Sequence, residues 1–395
     1  MPSYLIYGRP LCENDAEWQN VLAEAHARRT RPRCLCTAAG LEMYVAHIDR
    51  TFVVKRMPRT GWLHAASCPS FEPVGELSGV TSVGDAAISE DPDTGLTSVK
   101  FDFAMSEGAS RDVTQGLPRK PDAAQGGSPK MSLRSLLLCL WERSGVTRWH
   151  PGFLNRRSWG TVRGLILGAA RSTIVSGRRL SERLFVPEVF SADQKAELAT
   201  RREDSWARMT RAARAAKPWL LLVAELKELA PSRCGAHAIF KHLPDAPFGL
   251  DVQLFARIGR LFGPELDIWA AEDALHMVAI ATFAPSRTGL PRLQQIALLV
   301  TSPEWLPIDS LVDLSLVRQL IRERRTFVKT LRHHRGDSAP VVTATLTDAG
   351  SSPIAVFIAD GEENERRESA MQLAAAVGAQ GCWWPRDVLP SRAAA

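Results

Sequence analysis

The stretches Arg33-Cys34-Leu35-Cys36 and His64-Ala65-Ala66-Ser67-Cys68-Pro69 place two pairs of metal-binding side chains on either side of a short segment. Thiolates and imidazoles are the usual ligands of zinc, and a site with four protein ligands has no open coordination position. The sequence therefore predicts a structural zinc ion, with no catalytic role, bound by Cys34, Cys36, His64 and Cys68.

The segment between the two pairs predicts a β-hairpin. Residues 42–47 and 51–56 read as strands around a turn near Asp49, and a hairpin would bring the two ligand pairs together. In the alternative interpretation the cysteines are small core residues and His64 is a surface imidazole. A module with so few large apolar side chains can form only a small core, which favours stabilisation by a bound metal ion. His47 and Cys12 are weaker ligand candidates.

The composition is that of a globular protein with several domains. The chain has 395 residues, of which 45% are hydrophobic and 23% charged. It lacks a run of eighteen apolar residues and a signal-like N-terminus, so we expect a cytoplasmic protein without a membrane partner. The seven cysteines are odd in number and mostly scattered, which argues against a disulfide framework.

The pattern of elements predicts a multidomain α+β protein. Residues 106–130 contain Gly, Ser, Pro and charge without periodicity, which is typical of a linker. After Pro218, strand-like runs around one helix predict a mainly antiparallel sheet. The expected units are an N-terminal region at 1–105 with a zinc-ribbon-like module at 34–73, the linker at 106–130, a winged-helix-like basic unit at 131–190, a connecting helix at 191–217, an α+β domain at 218–308 and a C-terminal α/β subdomain at 309–395.

Residues 131–190 predict two helices followed by a short hairpin, which is a winged-helix pattern. From Glu142 to Glu188 there are nine arginines against three glutamates, an excess equal to the net charge of +6 of the whole chain. Such a patch makes a polyanion, usually nucleic acid, the first partner to consider. The alternative is a protein-binding module whose arginines are only solvated. The residues predicted to contact phosphate or a groove are Arg156, Arg157, Arg163, Arg178 and Arg179.

The C-terminal part predicts the order helix, hairpin, helix and strand, with the first helix at 311–332. This order is close to the core of restriction-like nucleases, which hold magnesium with an aspartate and a Glu-x-Lys motif on neighbouring strands. Asp348 could be the first carboxylate, but residues 354–359 contain neither a carboxylate nor a lysine. Without those ligands we expect a degenerate nuclease-like tail that does not cleave. A second basic surface on the first helix would include Arg322, Arg325 and Lys329.

Several runs carry a resemblance to a known family. They are the Cys-x-Cys pair, Met43-Tyr44, Val54-Lys55-Arg56-Met57-Pro58-Arg59-Thr60-Gly61, His64, Cys68-Pro69-Ser70-Phe71-Glu72-Pro73 and the stretch from Trp159 to Phe190. These resemble an uncharacterised bacterial domain-of-unknown-function family, which is defined by three cysteines near the N-terminus. Its members are similar to proteins of plasmids and integrative elements. The resemblance implies no activity.

The leading hypothesis is a non-enzymatic, zinc-stabilised protein that associates with nucleic acid, DNA being the first expectation, in a bacterial mobile element. The first alternative is a nucleic-acid-processing enzyme that acts through the nuclease-like C-terminal domain. The second is an adaptor that binds other proteins of the mobile element.

Overall fold

The computed structural model describes residues 3–48, 50–74, 88–91, 94, 96–101, 103, 105, 131–213, 218–233, 235–286, 289–332, 341–350, 352–359 and 364–393. Within them the chain forms seven α-helices and four β-sheets, which confirms the α+β class. The predicted linker at 106–130 lies outside the described residues.

The elements are numbered in chain order. The helices are α1 (Trp18–Ala27), α2 (Leu133–Arg143), α3 (Trp159–Arg171), α4 (Lys195–Ala212), α5 (Val252–Ala271), α6 (Leu311–Arg322) and α7 (Asn364–Ala376). The strands are β1 (Ser3–Ile6), β2 (Arg9–Cys12), β3 (Arg33–Cys34), β4 (Leu41–Ile48), β5 (Thr51–Arg56), β6 (Ile88–Asp91), β7 (Leu96–Val99), β8 (Arg148–Trp149), β9 (Thr173–Val175), β10 (Arg178–Arg179), β11 (Leu184–Phe185), β12 (Leu220–Ser232), β13 (Gly235–Phe240), β14 (Phe248–Leu250), β15 (His276–Ala284), β16 (Arg292–Thr301), β17 (Phe327–Lys329), β18 (Ala344–Leu346), β19 (Ile354–Ile358) and β20 (Gln380–Trp384).

The N-terminal sheet has the order β2-β1-β3-β4-β5, and all its pairings are antiparallel. The predicted hairpin is present as β4 and β5, with Met43 opposite Arg56 and Ile48 opposite Thr51. Helix α1 packs on these two strands through Trp18, Leu22 and Ala25, which are buried. This region has its own hydrophobic core, separate from the main one.

The two helices predicted within residues 131–190 are α2 and α3, and each begins after a serine cap. The Ser132 hydroxyl accepts a hydrogen bond from the Ser135 N–H at 3.1 Å, and the Ser158 hydroxyl accepts one from Thr161. Every residue of α2 from Leu136 to Trp141 is buried. The sequence pattern also predicts an inward Leu165, and this prediction is wrong because Leu165 is 40% exposed on α3.

Residues 131–190 contribute strands to three different sheets. Strand β8 pairs with β17, β9 pairs in parallel with β7, and β11 pairs in parallel with β12. The β9–β10 hairpin is present, with Arg178 opposite Val175. The division of the chain into sequential units stays a prediction. These pairings show that backbone hydrogen bonds join residues 131–190 to segments on both sides.

The largest sheet is mainly antiparallel, as the sequence predicts. Its pairings run β12-β13-β14-β16-β15 and return to β12, because the first half of β12 pairs with β15 and its second half with β13. Helix α5 begins at Asp251, whose carboxylate accepts from the Leu254 N–H at 2.7 Å, and packs on this sheet. Leucine, valine and alanine side chains of β12, β15 and β16 fill the main core.

The C-terminal sheet has the order β20-β19-β18-β17-β8. The prediction of one helix over 311–332 is wrong in its second half, since α6 ends at Arg322 and residues 327–329 form β17. Arg324 has a φ of +57°, which turns the chain out of the helix. Phe327 and Lys329 then point into the interior as central strand residues.

None of the helices in the described part of the chain has the length and apolar character needed to cross a bilayer.

Gly235 is a position where only glycine fits. Its φ is +132°, and an added Cβ would collide with the Leu250 carbonyl oxygen on the neighbouring strand. We expect Gly235→Ala to lower the free energy of unfolding by about 1–3 kcal/mol. The matched control is Gly164→Ala in α3, where the added methyl meets nothing within 4 Å. The control should raise stability by about 0.5–1 kcal/mol. Urea unfolding of both variants is the measurement, and equal midpoints would contradict the prediction.

Candidate metal centre and basic cleft

The first ligand pair lies at the end of β3. Cys34 pairs with Tyr4 on β1 and with Leu41 on β4, so its backbone is fixed on both sides. Cys36 follows in the turn, and Gly40, with a φ of +64°, returns the chain to β4. Cys34 is buried and Cys36 is partly buried.

The second pair follows β5. A 3-10 turn at Gly61–Leu63 precedes His64, and the Cys68 N–H donates to the Ala65 carbonyl at 2.8 Å. The Ser70 N–H points at the Cys68 sulfur from 3.4 Å, which stabilises a thiolate there. The β4–β5 hairpin lies between the two pairs in sequence and brings them together, as predicted.

The four predicted ligand atoms lie within 4.8 Å of one another. The Cys34 and Cys68 sulfurs are 3.7 Å apart, and His64 Nδ1 is 3.3 Å from the Cys36 sulfur and 3.7 Å from that of Cys68. Around a tetrahedral zinc ion, two sulfurs lie about 3.8 Å apart and a sulfur and a nitrogen about 3.5 Å apart. The donor set and its spacing are therefore compatible with zinc.

Burial controls the protonation of this cluster. It raises the pKa of the Cys34 thiol to about 12, and it also raises the pKa of Cys68. Burial, followed by the charge of Arg56, lowers the pKa of His64. A metal ion bound here takes thiolates and a neutral imidazole, so binding would release thiol protons.

The weaker ligand candidates do not join the cluster. His47 is exposed and stacks on Phe52, with ring centroids 4.4 Å apart. Cys12 ends β2 and is not part of the group. The four predicted ligands are the metal-binding group that the described residues contain.

The metal cluster belongs to the N-terminal core. Cys34 and Cys68 pack with Tyr4, Leu22 and Phe71 among others. The segment after Cys68 also contacts the rest of the protein, because the Arg148 guanidinium donates to the Phe71 carbonyl. Arg148 lies on β8 of the C-terminal sheet.

A model of the family described as "Protein of unknown function (DUF1173)" matches residues 4–387, which is nearly the whole sequence. The chain belongs to this family. No curated protein and no solved structure matches it. Membership of DUF1173 confirms the resemblance to an uncharacterised family, and the DUF1173 match includes the Cys/His cluster and the seven helices of the described residues.

Three arginines of the predicted basic patch bind backbone carbonyls instead of facing solvent freely. Arg157 donates to the carbonyl oxygens of Val146, at 2.8 Å, and of Glu304. Arg178 donates to the Ala212 carbonyl. Arg163 donates through Nε to the Val186 carbonyl at 3.0 Å. Arg157 also lies 4.8 Å from the Phe153 ring centroid, so its guanidinium group contacts several groups within this DUF1173 protein.

Arg325 and Lys329 do not lie on the second predicted basic surface, because both are buried. Arg325 is 3% exposed and forms an ion pair with Asp348 at 2.8 Å. Lys329 is 2% exposed, and its Nζ lies 3.1 Å from the buried Asp313 carboxylate. Both charges are neutralised inside the protein, because the chain enters the sheet here instead of continuing as a helix. Arg156 and Arg322 are exposed and Arg179 is partly buried.

The structure reveals a cleft that the sequence did not predict. It has a volume of about 250 Å³ and lies between α3, α4, β11 and the loop after β13. Five arginines line it, namely Arg163, Arg171, Arg201, Arg202 and Arg208. Only Arg163 belongs to the predicted set. The sequence does contain a signal for this cleft. The spacing of Arg163 and Arg171 on α3, and of Arg201 and Arg208 on α4, places each pair on one helix face.

The cleft is positively charged overall. Its lining includes two carboxylates, Glu188 and Asp245, against the five guanidinium groups. Arg201 is paired with Glu188 at 3.0 Å, and Arg202 with Asp245 at 2.9 Å. Exposed Glu197 also lies 3.7 Å from Arg201. The lining therefore has an excess of positive charge, which attracts an anion.

Proposed function

We propose that this DUF1173 protein is a non-enzymatic, zinc-stabilised protein that associates with nucleic acid. The observation that carries the proposal is the cleft, where the consecutive helices α3 and α4 bring together five arginines. Clustered guanidinium groups on a helical surface are the usual means of binding phosphate. In this proposal the cleft arginines, which include Arg163, bind phosphate in place of the internally bound Arg157, Arg178 and Arg325, while Arg156, Arg179 and Arg322 stay predictions.

The zinc ion has a structural role in this proposal. Cys34, Cys36, His64 and Cys68 supply four protein ligands, so no position remains for a substrate or a reactive water. The three cysteines of the cluster agree with the family definition that the resemblance implies. A role in a plasmid or integrative element rests on that resemblance alone. The zinc-ribbon-like, winged-helix-like and nuclease-like sub-folds remain predictions.

The nuclease alternative receives little support from the residues around Asp348. Its carboxylate accepts from Arg325 and from the Thr326 N–H at 2.7 Å, so it is already used inside the protein. The neighbouring strand β19 reads Ile-Ala-Val-Phe-Ile and offers no metal ligand. Metal-dependent nicking of DNA that is lost in Asp348→Ala would restore this alternative.

The adaptor alternative is favoured by an exposed apolar group beside the metal ligands. Trp62 is 51% exposed and, with Leu63, directly precedes His64, while exposed Leu35 lies between Cys34 and Cys36. Exposed large apolar side chains often mark protein interfaces. A stable protein complex that forms without nucleic acid, and that Trp62→Ser abolishes while zinc is retained, would support an adaptor.

Salt-dependent DNA binding tests the leading proposal. We expect the protein to bind labelled DNA in a fluorescence anisotropy titration at low salt and to lose affinity steeply as salt rises, because phosphate contacts release counterions. The double variant Arg171→Gln/Arg208→Gln should reduce affinity about tenfold or more and lower the salt slope by about 1 per lost phosphate contact.

The control is Arg260→Gln, which removes an exposed arginine of α5 outside the cleft lining and should leave affinity nearly unchanged. Absence of any DNA binding at low salt would remove the proposal. Equal losses in the control and the double variant would show that the cleft has no special role.

A further inference from the structure

The walls of the cleft combine charge with accessible apolar surface. Besides the arginines, Phe190, Leu198, Leu167 and Met209 line it and are only partly buried. A site that contacted phosphate alone would gain nothing from such a lining. A ligand that carries both a phosphate and a flat apolar ring can use both parts.

One wall of the cleft is built on the His242 ring, which contacts protein groups on several sides. The Phe190 N–H donates to His242 Nδ1 at 3.3 Å, and His242 Nε2 lies 3.6 Å from the buried Glu225 carboxylate. The His242 ring also stacks on Trp159, with centroids 5.4 Å apart. Both ring nitrogens therefore face protein groups. His242 fixes the position of Phe190 and is not aimed at a ligand as a general base.

The carboxylate behind this wall is strongly held as well. Glu225 accepts from His276 Nδ1 at 2.7 Å and from Lys241 at 3.0 Å. Burial acts to raise the pKa of Glu225, but the contacts with His242, His276 and Lys241 outweigh it, so its pKa lies well below the ordinary value. Glu225 therefore presents an ionised carboxylate to Lys241 and His276 at neutral pH, behind the wall that His242 forms.

The volume of the cleft limits the size of a ligand that can bind there. A volume of about 250 Å³ is near the lower end of small-molecule sites and corresponds to a single nucleotide-sized group. A duplex keeps its bases stacked inside and would present only phosphates to the rim. An unpaired nucleotide can place its phosphate among the arginines and its base against Phe190, as single-strand-binding proteins do with aromatic side chains.

We infer that the cleft of α3 and α4 is a binding site for one unpaired nucleotide, so that the protein binds single-stranded nucleic acid in preference to a duplex. This inference rests on the proposed function, because it names the form of nucleic acid that the basic cleft accepts. Arg171 and Arg208 hold the phosphate, and Phe190 contacts the base. No bond is made or broken.

The test compares a single-stranded DNA oligonucleotide with the blunt duplex of the same sequence under one salt condition, and uses free thymidine monophosphate and thymidine as competitors. We expect the single strand to bind about tenfold more tightly than the duplex. Thymidine monophosphate should compete for the site, and thymidine, which has no phosphate, should not.

Variants locate the site. Phe190→Leu keeps the apolar volume but removes the ring, and it should weaken single-strand binding about fivefold or more with little effect on the duplex. Arg208→Gln should weaken binding of the single strand and of the mononucleotide, and Arg260→Gln should weaken neither. Thermal unfolding of each variant confirms that it is folded before binding is compared.

The possible outcomes test the single-strand preference and the proposed function separately. Equal binding of single strand and duplex, without competition by the mononucleotide, would overturn the inference and leave the proposed function intact. Binding of the mononucleotide without binding of either oligonucleotide would keep a mononucleotide site but remove the proposed function and, with it, the preference for single strands. Binding of none of the probes would remove both.

Discussion

Replacement of Cys68 by serine should abolish zinc binding and strongly destabilise the N-terminal module. The Cys68 sulfur lies 3.7 Å from both the Cys34 sulfur and His64 Nδ1, so its loss breaks the tetrahedral set. The turn that carries Cys68 is joined to the N-terminal sheet through this cluster and the small core around it. We expect zinc content to fall from about one ion per chain to nearly none, because structural sites need all of their ligands.

The stability effect should also be large. Zinc binding in small structural sites is worth about 10–16 kcal/mol, which sets an upper limit on the loss, and the separate apolar core retains part of the stability. We expect several kcal/mol, measured as a shift of the thermal unfolding transition. A chelator should destabilise the native protein in the same way and have little further effect on Cys68→Ser.

Cys12→Ser is the matched control for this experiment. Cys12 is a partly buried cysteine of the same module and lies outside the metal-binding group. The control should keep its zinc and most of its stability. Wild-type protein purified without stoichiometric metal, or Cys68→Ser protein that retains it, would contradict the zinc assignment.

Asp348→Ala should destabilise the C-terminal sheet by about 3–5 kcal/mol, because it leaves a buried guanidinium group without its partner. Arg325 donates to the Asp348 carboxylate through Nε at 3.1 Å and through a terminal nitrogen at 2.8 Å. Asp348 also accepts from the Thr326 N–H, just before β17. Urea unfolding measures the loss, and zinc content should not change.

The control removes an ion pair of the same subdomain that faces solvent. Arg367 lies 2.7 Å from Asp387, and both side chains are partly exposed. Arg367→Ala should cost at most about 1 kcal/mol, because exposed ion pairs contribute little. If Asp348→Ala were as stable as the native protein and lost a nicking activity, Asp348 would be a catalytic residue and not a structural one.

The sequence correctly predicted helices and hairpins whose signals lie in neighbouring residues. Ser132 and Ser158 cap their helices, and the hairpin of β4 and β5 follows its alternation of side chains. The pattern failed where a partner distant in sequence decides the conformation. Residues 327–329 continue a basic helical pattern, but they become a strand because β18 and β8 lie on either side.

The accessibility of the arginines also depends on partners that are distant in sequence. Arg157 and Arg178 look like surface charges in the sequence, and each binds a carbonyl oxygen of another segment. The sequence shows where charged residues occur along the chain, whereas the burial of each charged side chain depends on which segments pack together. The cleft was missed for this reason, since its arginines come from α3 and α4, which lie on either side of β9, β10 and β11.

The sequence by itself determined the candidate metal site, because the types and spacing of Cys34, Cys36, His64 and Cys68 specify a set of metal-binding side chains and the hairpin between them brings it together. It also determined the α+β class and the family. Only the tertiary structure decided which positive charges are available to a partner. Packing neutralises Arg325 and Lys329 in buried ion pairs and collects five other arginines at one cleft. The physical reason is that desolvation and pairing of a charge depend on contacts between segments that are far apart in the chain.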